Sequence, residues 1–289
     1  MPGLIAAVVI PPIMLAGVVG LVATQFWTPK FKNGEILVAH EGDIGHVDFH
    51  TYVANHNVVC TPRAVRDHAL SFNGIPRCHQ SKPGPDVDVV VAGDSHAEHL
   101  FLGLEEALPE HNVAYYIVDG LPTRANADFA RILDHIAART SIKTVVYTAY
   151  WGGRGVPEKD LADALRTLVH AGKTVFVTDD VPNFRFDPFG CKYKSAFLLP
   201  SVCSDDASDF GGRHAAYYPQ LVRTIQQVPG VHLLNTAKYF CDETRCDMTL
   251  DGKLMYRDGS HLNMNGSRYV AKQMLNDNPD FRAAVTAPH

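Results

Sequence analysis

From residue 87 onward, short apolar runs alternate with amphipathic stretches. This alternation restricts the chain to a largely parallel sheet covered by helices on both faces. Val87–Val91 reads as a short, mainly apolar strand. The stretch after it repeats Leu100, Leu104 and Leu108 at helical spacing and stops at Pro109. Val113–Val118, Thr144–Thr148, Val175–Thr178 and Val231–Leu234 are expected as four further strands. Helices are expected over about Ala127–Arg139, from Pro157 to near Gly172, near His214–Gln227 and over Gly266–Asn276. The expected fold is a three-layer α/β/α sandwich around a mainly parallel five-stranded sheet.

The first 86 residues read differently. Leu4–Ala23 contains no charged residue and is long enough to cross a bilayer as a helix. Pro11-Pro12 would kink that helix, which membrane spans tolerate. A cleaved signal peptide is the rival reading, weakened by the missing basic n-region and by the length of the apolar stretch. Trp27 sits where an interfacial aromatic would anchor the span. Residues 1–28 are therefore expected as a transmembrane helix and 29–86 as an irregular extension closed by Ser81-Lys82-Pro83-Gly84-Pro85. Residues 87–289 form the α/β domain.

Two signals disagree on the compartment. Lys30 and Lys32, just past the apolar segment, would by the positive-inside rule leave the bulk of the chain in the cytoplasm. Against them stand six cysteines in neighbouring positions, Cys60/Cys78, Cys191/Cys203 and Cys241/Cys246, in loop-rich stretches and outside any CxxC pattern. An even set of this kind points to disulfides and an oxidising compartment, with connectivity left open. Six thiols outweigh two lysines, so the extracytoplasmic side is expected. The net charge of −5, with no basic run beside stacking aromatics, excludes a nucleic-acid surface.

The chemistry concentrates at two places. Gly93-Asp94-Ser95-His96 follows the first strand, at the carboxyl edge where parallel sheets carry their sites. A serine at such a corner presents its hydroxyl where the free N–H groups of the next helix also point. It needs a base, and His261 in Asp258-Gly259-Ser260-His261 is the best candidate. Asp258, three residues earlier, can hold the imidazole tautomer as the carboxylate of a serine triad does. Alone, the first motif reads as a helix cap and the second as a surface turn. Together, at opposite ends of a compatible α/β pattern, they point to catalysis. Asp251 is the runner-up acid, without a local geometric argument. His46, Asp48 and His50 could gather around a metal if helical, yet no further ligand is obvious and no metal is expected. His96 either supports the site or is an ordinary first-turn residue. Asp179-Asp180, ending the fourth strand, either line the cleft or face water.

Gly93-Asp94-Ser95-His96 with Asp258-x-x-His261-Leu262 resembles the SGNH, or GDSL-like, hydrolase superfamily at its first and last sequence blocks. Gly42-Asp43-Ile44-Gly45-His46, Cys60-Thr61-Pro62, Cys78-His79-Gln80-Ser81 and Gly93-Asp94-Ser95-His96-Ala97-Glu98-His99-Leu100 further resemble the C-terminal SGNH domain of acyltransferase family 3 proteins, as does Tyr256-Arg257-Asp258-Gly259-Ser260-His261-Leu262. The resemblance covers roughly residues 31–275. It implies an SGNH, flavodoxin-like domain in which Ser95 is the nucleophile, His261 the base and Asp258 its orienting acid. It also implies an oxyanion hole from the amides of Ser95 and Gly120. The superfamily pattern carries an asparagine after the third strand, where this chain reads Ala149-Tyr150-Trp151-Gly152-Gly153. A backbone amide near Trp151 or a reshaped acceptor pocket is expected in its place, and the indole is a candidate for sugar stacking or for simple packing.

The same resemblance implies a domain anchored in the inner membrane by a single pass, with the residues after about 28 in the periplasm. Such a domain moves an O-acyl group, expected to be acetyl, onto a bacterial surface polysaccharide such as lipopolysaccharide O-antigen. A membrane acyltransferase domain, fused or separate, is the implied partner and uses acetyl-CoA as donor. No cofactor is expected in the domain itself. A periplasmic carbohydrate esterase is the competing reading, because only the acceptor differs. A non-catalytic glycan-binding module is the third.

Overall fold

A computed structural model of the chain describes residues 46–72, 74–188, 191 and 203–287. The Leu4–Ala23 span, Trp27, Lys30, Lys32 and the Gly42–Gly45 motif lie outside the described residues. Among those described, no helix is long and apolar enough to cross a membrane.

Alternate residues along each central strand divide between two cores. In strand β3 (Val89–Gly93), Val89 and Val91 face one side of the sheet while Val90 and Ala92 face the other. Buried on both faces, such strands read as continuous apolar runs. The sheet has seven strands: β1 (Val58–Val59), β2 (Cys78–Gln80), β3, β4 (Val113–Ile117), β5 (Thr144–Thr148), β6 (Thr174–Thr178) and β7 (Val231–Leu234). Their order is β1-β2-β4-β3-β5-β6-β7. The last five pair in parallel, as the alternating pattern requires, whereas β1 and β2 add antiparallel at one edge.

The expected five-stranded sheet is thus wider by two strands. Both come from the segment read as an irregular extension. They are too short for a period-two pattern to register, and their pairing is secured by tertiary contacts. The Cys60–Cys78 disulfide closes over this edge, and Cys60 N–H donates to the Cys78 carbonyl (2.9 Å). The other bridges are Cys191–Cys203 and Cys241–Cys246, so every disulfide joins sequence neighbours.

Helices cover both faces. On one lie α1 (His46–His56), α2 (Ser95–Ala107), α6 (Met264–Asp277) and α7 (Pro279–Val285); on the other lie α3 (Ala127–Ala138), α4 (Glu158–His170) and α5 (Tyr218–Gln226). The contact that matters most for the site is between α2 and α6. A side chain at Gly103 would overlap the backbone of Ser267, so only glycine lets these helices come this close. The Ser267 hydroxyl accepts from Gly103 N–H at 2.8 Å. The helix that begins at Ser95 is thereby locked to the helix that follows His261.

Candidate active site

The first motif is shaped by the carboxyl edge of the sheet. A methyl group at Gly93 would overlap the Thr148 carbonyl oxygen of neighbouring β5, which explains the glycine. Asp94 is the N-cap of α2, its Oδ1 accepting from His96 N–H at 2.9 Å. Its Oδ2 accepts from the Tyr150 amide at 2.9 Å and faces Arg154 Nε at 3.4 Å. Asp94 therefore fixes the nucleophile corner to the loop after β5. Ser95 opens α2, where the amide groups of a first turn have no helical acceptor.

The second motif forms a tight turn before α6. Arg257 N–H donates to the His261 carbonyl (2.9 Å), and Tyr256 and Leu262 make an antiparallel bridge. Asp258 Oδ1 accepts from the Ser260 amide (2.8 Å) and the His261 amide (2.7 Å), so the carboxylate builds the turn that presents the imidazole. His261 Nδ1 lies 2.9 Å from Asp258 Oδ2 and 3.0 Å from Oδ1. Its Nε2 lies 2.8 Å from Ser95 Oγ. A carboxylate only accepts, so the ring proton sits on Nδ1 and the Nε2 lone pair faces the serine hydroxyl. Burial, opposed by the Asp258 hydrogen bond and reinforced by the neighbouring charge of His96, lowers the His261 imidazole to about 3. The ring, 16 % exposed, is uncharged at neutral pH and available as a base.

Ser95, His261 and Asp258 are brought together in the order expected of a nucleophile, base and acid. Gly120 lies just past β4, beside the strand that ends at Gly93, with a φ of 93° that favours glycine. The amides of Ser95 and Gly120 donate to no acceptor among the described residues. Asp251, by contrast, sits exposed at the tip of a hairpin between Thr249–Leu250 and Lys253–Leu254.

Of the two readings of the Trp151 indole, the structure takes packing. Its side chain is 0 % exposed and its indole N–H donates to the Thr178 carbonyl (2.9 Å), so no sugar can stack on it. Its amide donates to the Ala149 carbonyl (2.8 Å) and is equally spent. Trp151 packs the second core, and its neighbour Tyr150 is the half-buried aromatic of this loop.

His96 is fully buried, and its Nδ1–H donates to Asp180 Oδ1 at 2.6 Å. Burial disfavours its charged form, but the Asp180 charge and hydrogen bond, with the charges of Asp94 and Asp258, together outweigh that effect and raise the His96 pKa. Asp180 itself holds a φ of 76°, a strained value for a residue with a side chain. His96, His99 and Asp180 carry ligand-type atoms within 4.8 Å of one another. His96 Nδ1 and Asp180 Oδ1 are taken up by their mutual hydrogen bond and His99 Nδ1 accepts from the Leu262 amide at 3.4 Å, whereas the buried His96 Nε2 and Asp180 Oδ2 have no hydrogen-bond partner among the described residues. Asp179 is used internally, its Oδ1 accepting from the amide of Thr236 (2.6 Å) and its hydroxyl (3.0 Å). His50 is buried and donates to Glu98, whereas Asp48 is exposed.

Glu98 is the residue whose importance the sequence conceals. One turn along α2 from Ser95, it is 1 % exposed and receives Arg77 Nη2 (2.7 Å), His50 Nδ1 (3.0 Å), the Tyr115 hydroxyl (3.1 Å) and Arg257 Nη2 (3.4 Å). Burial alone would raise its pKa, but the surrounding donors overcome this and hold it well below the carboxylate range. Arg257 also stacks on the Phe49 ring at 3.9 Å. Because Arg257 precedes Asp258, this network fastens the acid–base turn to the nucleophile helix and to α1.

The arrangement is suited to acyl chemistry: a hydroxyl nucleophile, a neutral imidazole base, a carboxylate orienter and free amides at a helix start. No curated protein sequence matches the chain. Among solved structures, the fold is similar to the periplasmic domain of a lipopolysaccharide acetyltransferase from Salmonella ser. Paratyphi A. That similarity has a TM-score of 0.57 at 15 % identity and covers 80 % of this chain and 95 % of that one. The family model for the SGNH domain fused to AT3 domains matches residues 60–276, and the chain belongs to that family.

Proposed function

We propose that this domain is an O-acyltransferase, moving an acetyl group through Ser95 to a carbohydrate hydroxyl outside the cytoplasm. The observation that carries the reading is the Asp258–His261–Ser95 line of hydrogen bonds at the start of α2, in a family fused to AT3 domains. His261 Nε2 takes the Ser95 proton as Oγ attacks the acyl carbonyl. The donor's leaving group departs with that proton, and Ser95 becomes an ester. A sugar hydroxyl then gives its proton to His261 and attacks the ester. The tetrahedral intermediate collapses, and Ser95 leaves with the proton restored. Asp258 stabilises the imidazolium at each stage. The amides of Ser95 and Gly120 receive the oxyanion, where one such donor contributes about 3–4 kcal/mol.

In this reading a membrane acyltransferase domain, drawing on acetyl-CoA, supplies the acyl group, and the inner membrane anchors the chain through the segment before residue 28. The disulfides favour the periplasmic side. The partner named by the family and the acceptor of the Salmonella relative support a surface polysaccharide as substrate. The test is to incubate the full chain with 4-nitrophenyl acetate and a carbohydrate acceptor. Acetyl should appear on the sugar with the wild-type protein and not with Ser95→Ala. Release of acetate alone, with no acetylated sugar, would replace this reading with that of a carbohydrate esterase.

A further inference from the structure

The loop after β5 carries an aromatic side chain that the triad does not use. Tyr150 is held from three directions. Its amide donates to Asp94 Oδ2 (2.9 Å), the carboxylate that also caps the nucleophile helix. One face of its ring stacks on buried His96, with centroids 5.0 Å apart and planes 13° from parallel. A side chain at Gly153 would overlap the ring, so glycine there is what makes room for it. With the ring clamped in this way, the phenolic edge is the part left to the cleft. The hydroxyl is neither enclosed nor hydrogen-bonded among the described residues.

Its side of the cleft is informative. In the sheet, Gly120 follows β4 on one flank of Ser95, and Tyr150 follows β5 on the other. The Tyr150 phenol lies within electrostatic reach of Asp180, Arg213 and Asp258. The His96 ring on which Tyr150 stacks lies 4.9 Å from the His261 ring, so Tyr150 is on the His261 side of the cleft. In acyl transfer the carbonyl oxygen of the ester turns toward the oxyanion donors. The attacking hydroxyl must approach the imidazole that deprotonates it. The remainder of the acceptor then rests on the His261 side. Burial, reinforced by the Asp180 and Asp258 carboxylates, raises the phenol's pKa, so it remains a neutral donor and acceptor throughout the working range.

We infer that Tyr150 is an acceptor-binding residue, its hydroxyl hydrogen-bonding a hydroxyl of the carbohydrate as that substrate reaches His261. This rests on the acyl-transfer reading of the same site. It predicts a specific defect: loss of the phenol oxygen should weaken capture of the sugar relative to capture of water by the acetylated enzyme.

The experiment measures that partition directly. The full chain and Tyr150→Phe are given 4-nitrophenyl acetate in the presence of methyl glycosides of glucose, galactose and rhamnose. Acetylated glycoside and free acetate are both quantified. Phenylalanine keeps the ring and its packing, and one lost neutral hydrogen bond corresponds to roughly a three- to tenfold effect. The ratio of transfer to hydrolysis should fall by about that factor. An unchanged ratio, whether both rates fall together or neither moves, overturns the inference, since a structural or oxyanion role acts on both routes alike. If the wild-type protein hydrolyses the ester but acetylates no glycoside, the acyl-transfer reading fails and the inference falls with it. An unchanged ratio in the variant, with the wild type transferring normally, removes only the role of Tyr150.

Discussion

Glutamine in place of Glu98 removes the negative charge on which two buried guanidinium groups converge. The Arg77 and Arg257 side chains keep little or no exposure, and Tyr115 and His50 complete the shell. The amide is nearly isosteric, so the perturbation is electrostatic rather than a cavity. Breaking a buried ion pair from one side costs about 3–5 kcal/mol. The low end applies here because Arg257 keeps its stacking on Phe49. A loss of about 3 kcal/mol lowers Tm by roughly 6–12 °C for a domain of this size. The pH dependence gives a second signature. Glu98 ionises in the folded protein well below its ordinary value of 4.5. Below that pH the unfolded chain binds the proton and the folded one does not, so its stabilisation is complete above 4.5 and lost as pH falls. Urea unfolding with the disulfides intact should therefore show Glu98→Gln less stable at pH 7, with the gap to wild type narrowing below pH 4.5. A variant within about 1 kcal/mol of wild type at pH 7, or a gap that stays constant into acid, would refute the reasoning.

Gly103→Ala should destabilise by about 1–3 kcal/mol through collision with the Ser267 backbone, read as a lower thermal midpoint; wild-type stability would contradict the α2–α6 contact. His261 is lowered chiefly by burial, so the acid limb of the rate profile should lie below pH 6.5. The Asp258 interactions oppose that lowering, so Asp258→Asn should move the limb to still lower pH while reducing kcat by roughly 10³–10⁴-fold. An acid limb that rises in the variant would reverse the assigned role. Replacing Cys60 and Cys78 with serine opens a cross-link of sequence separation 18, and a loss of about 3 kcal/mol is expected in denaturant titrations.

The parallel core is legible because its central strands are buried on both faces and leave apolar runs, as in Thr144–Thr148 and Val89–Gly93. The triad was legible because Asp258 and His261 form a local turn, leaving the contact to Ser95 as the long-range step. Strands Val58–Val59 and Cys78–Gln80 were not, since pairs of this length are specified by what lies beside them. Glu98 looks in sequence like any polar residue of a helix. Its burial depends on Arg77 and His50 arriving from a segment with little pattern of its own. In the Tyr150-Trp151 pair the sequence favours the larger ring, but the turn of the chain after β5 sends Trp151 into the core and leaves Tyr150 at the cleft. The sequence shows Asp180 only as a carboxylate at the end of a strand. Its pairing with His96 and its left-handed backbone depend on two strands whose neighbourhood only the fold defines.

The central claim is that Ser95 is a nucleophile activated by His261. Labelling the full chain with a fluorophosphonate and locating the adduct by peptide mass spectrometry tests it directly. The account predicts modification at Ser95 in the wild-type protein and its loss in a folded His261→Ala variant. Modification at another residue, or undiminished labelling of Ser95 without His261, would contradict it.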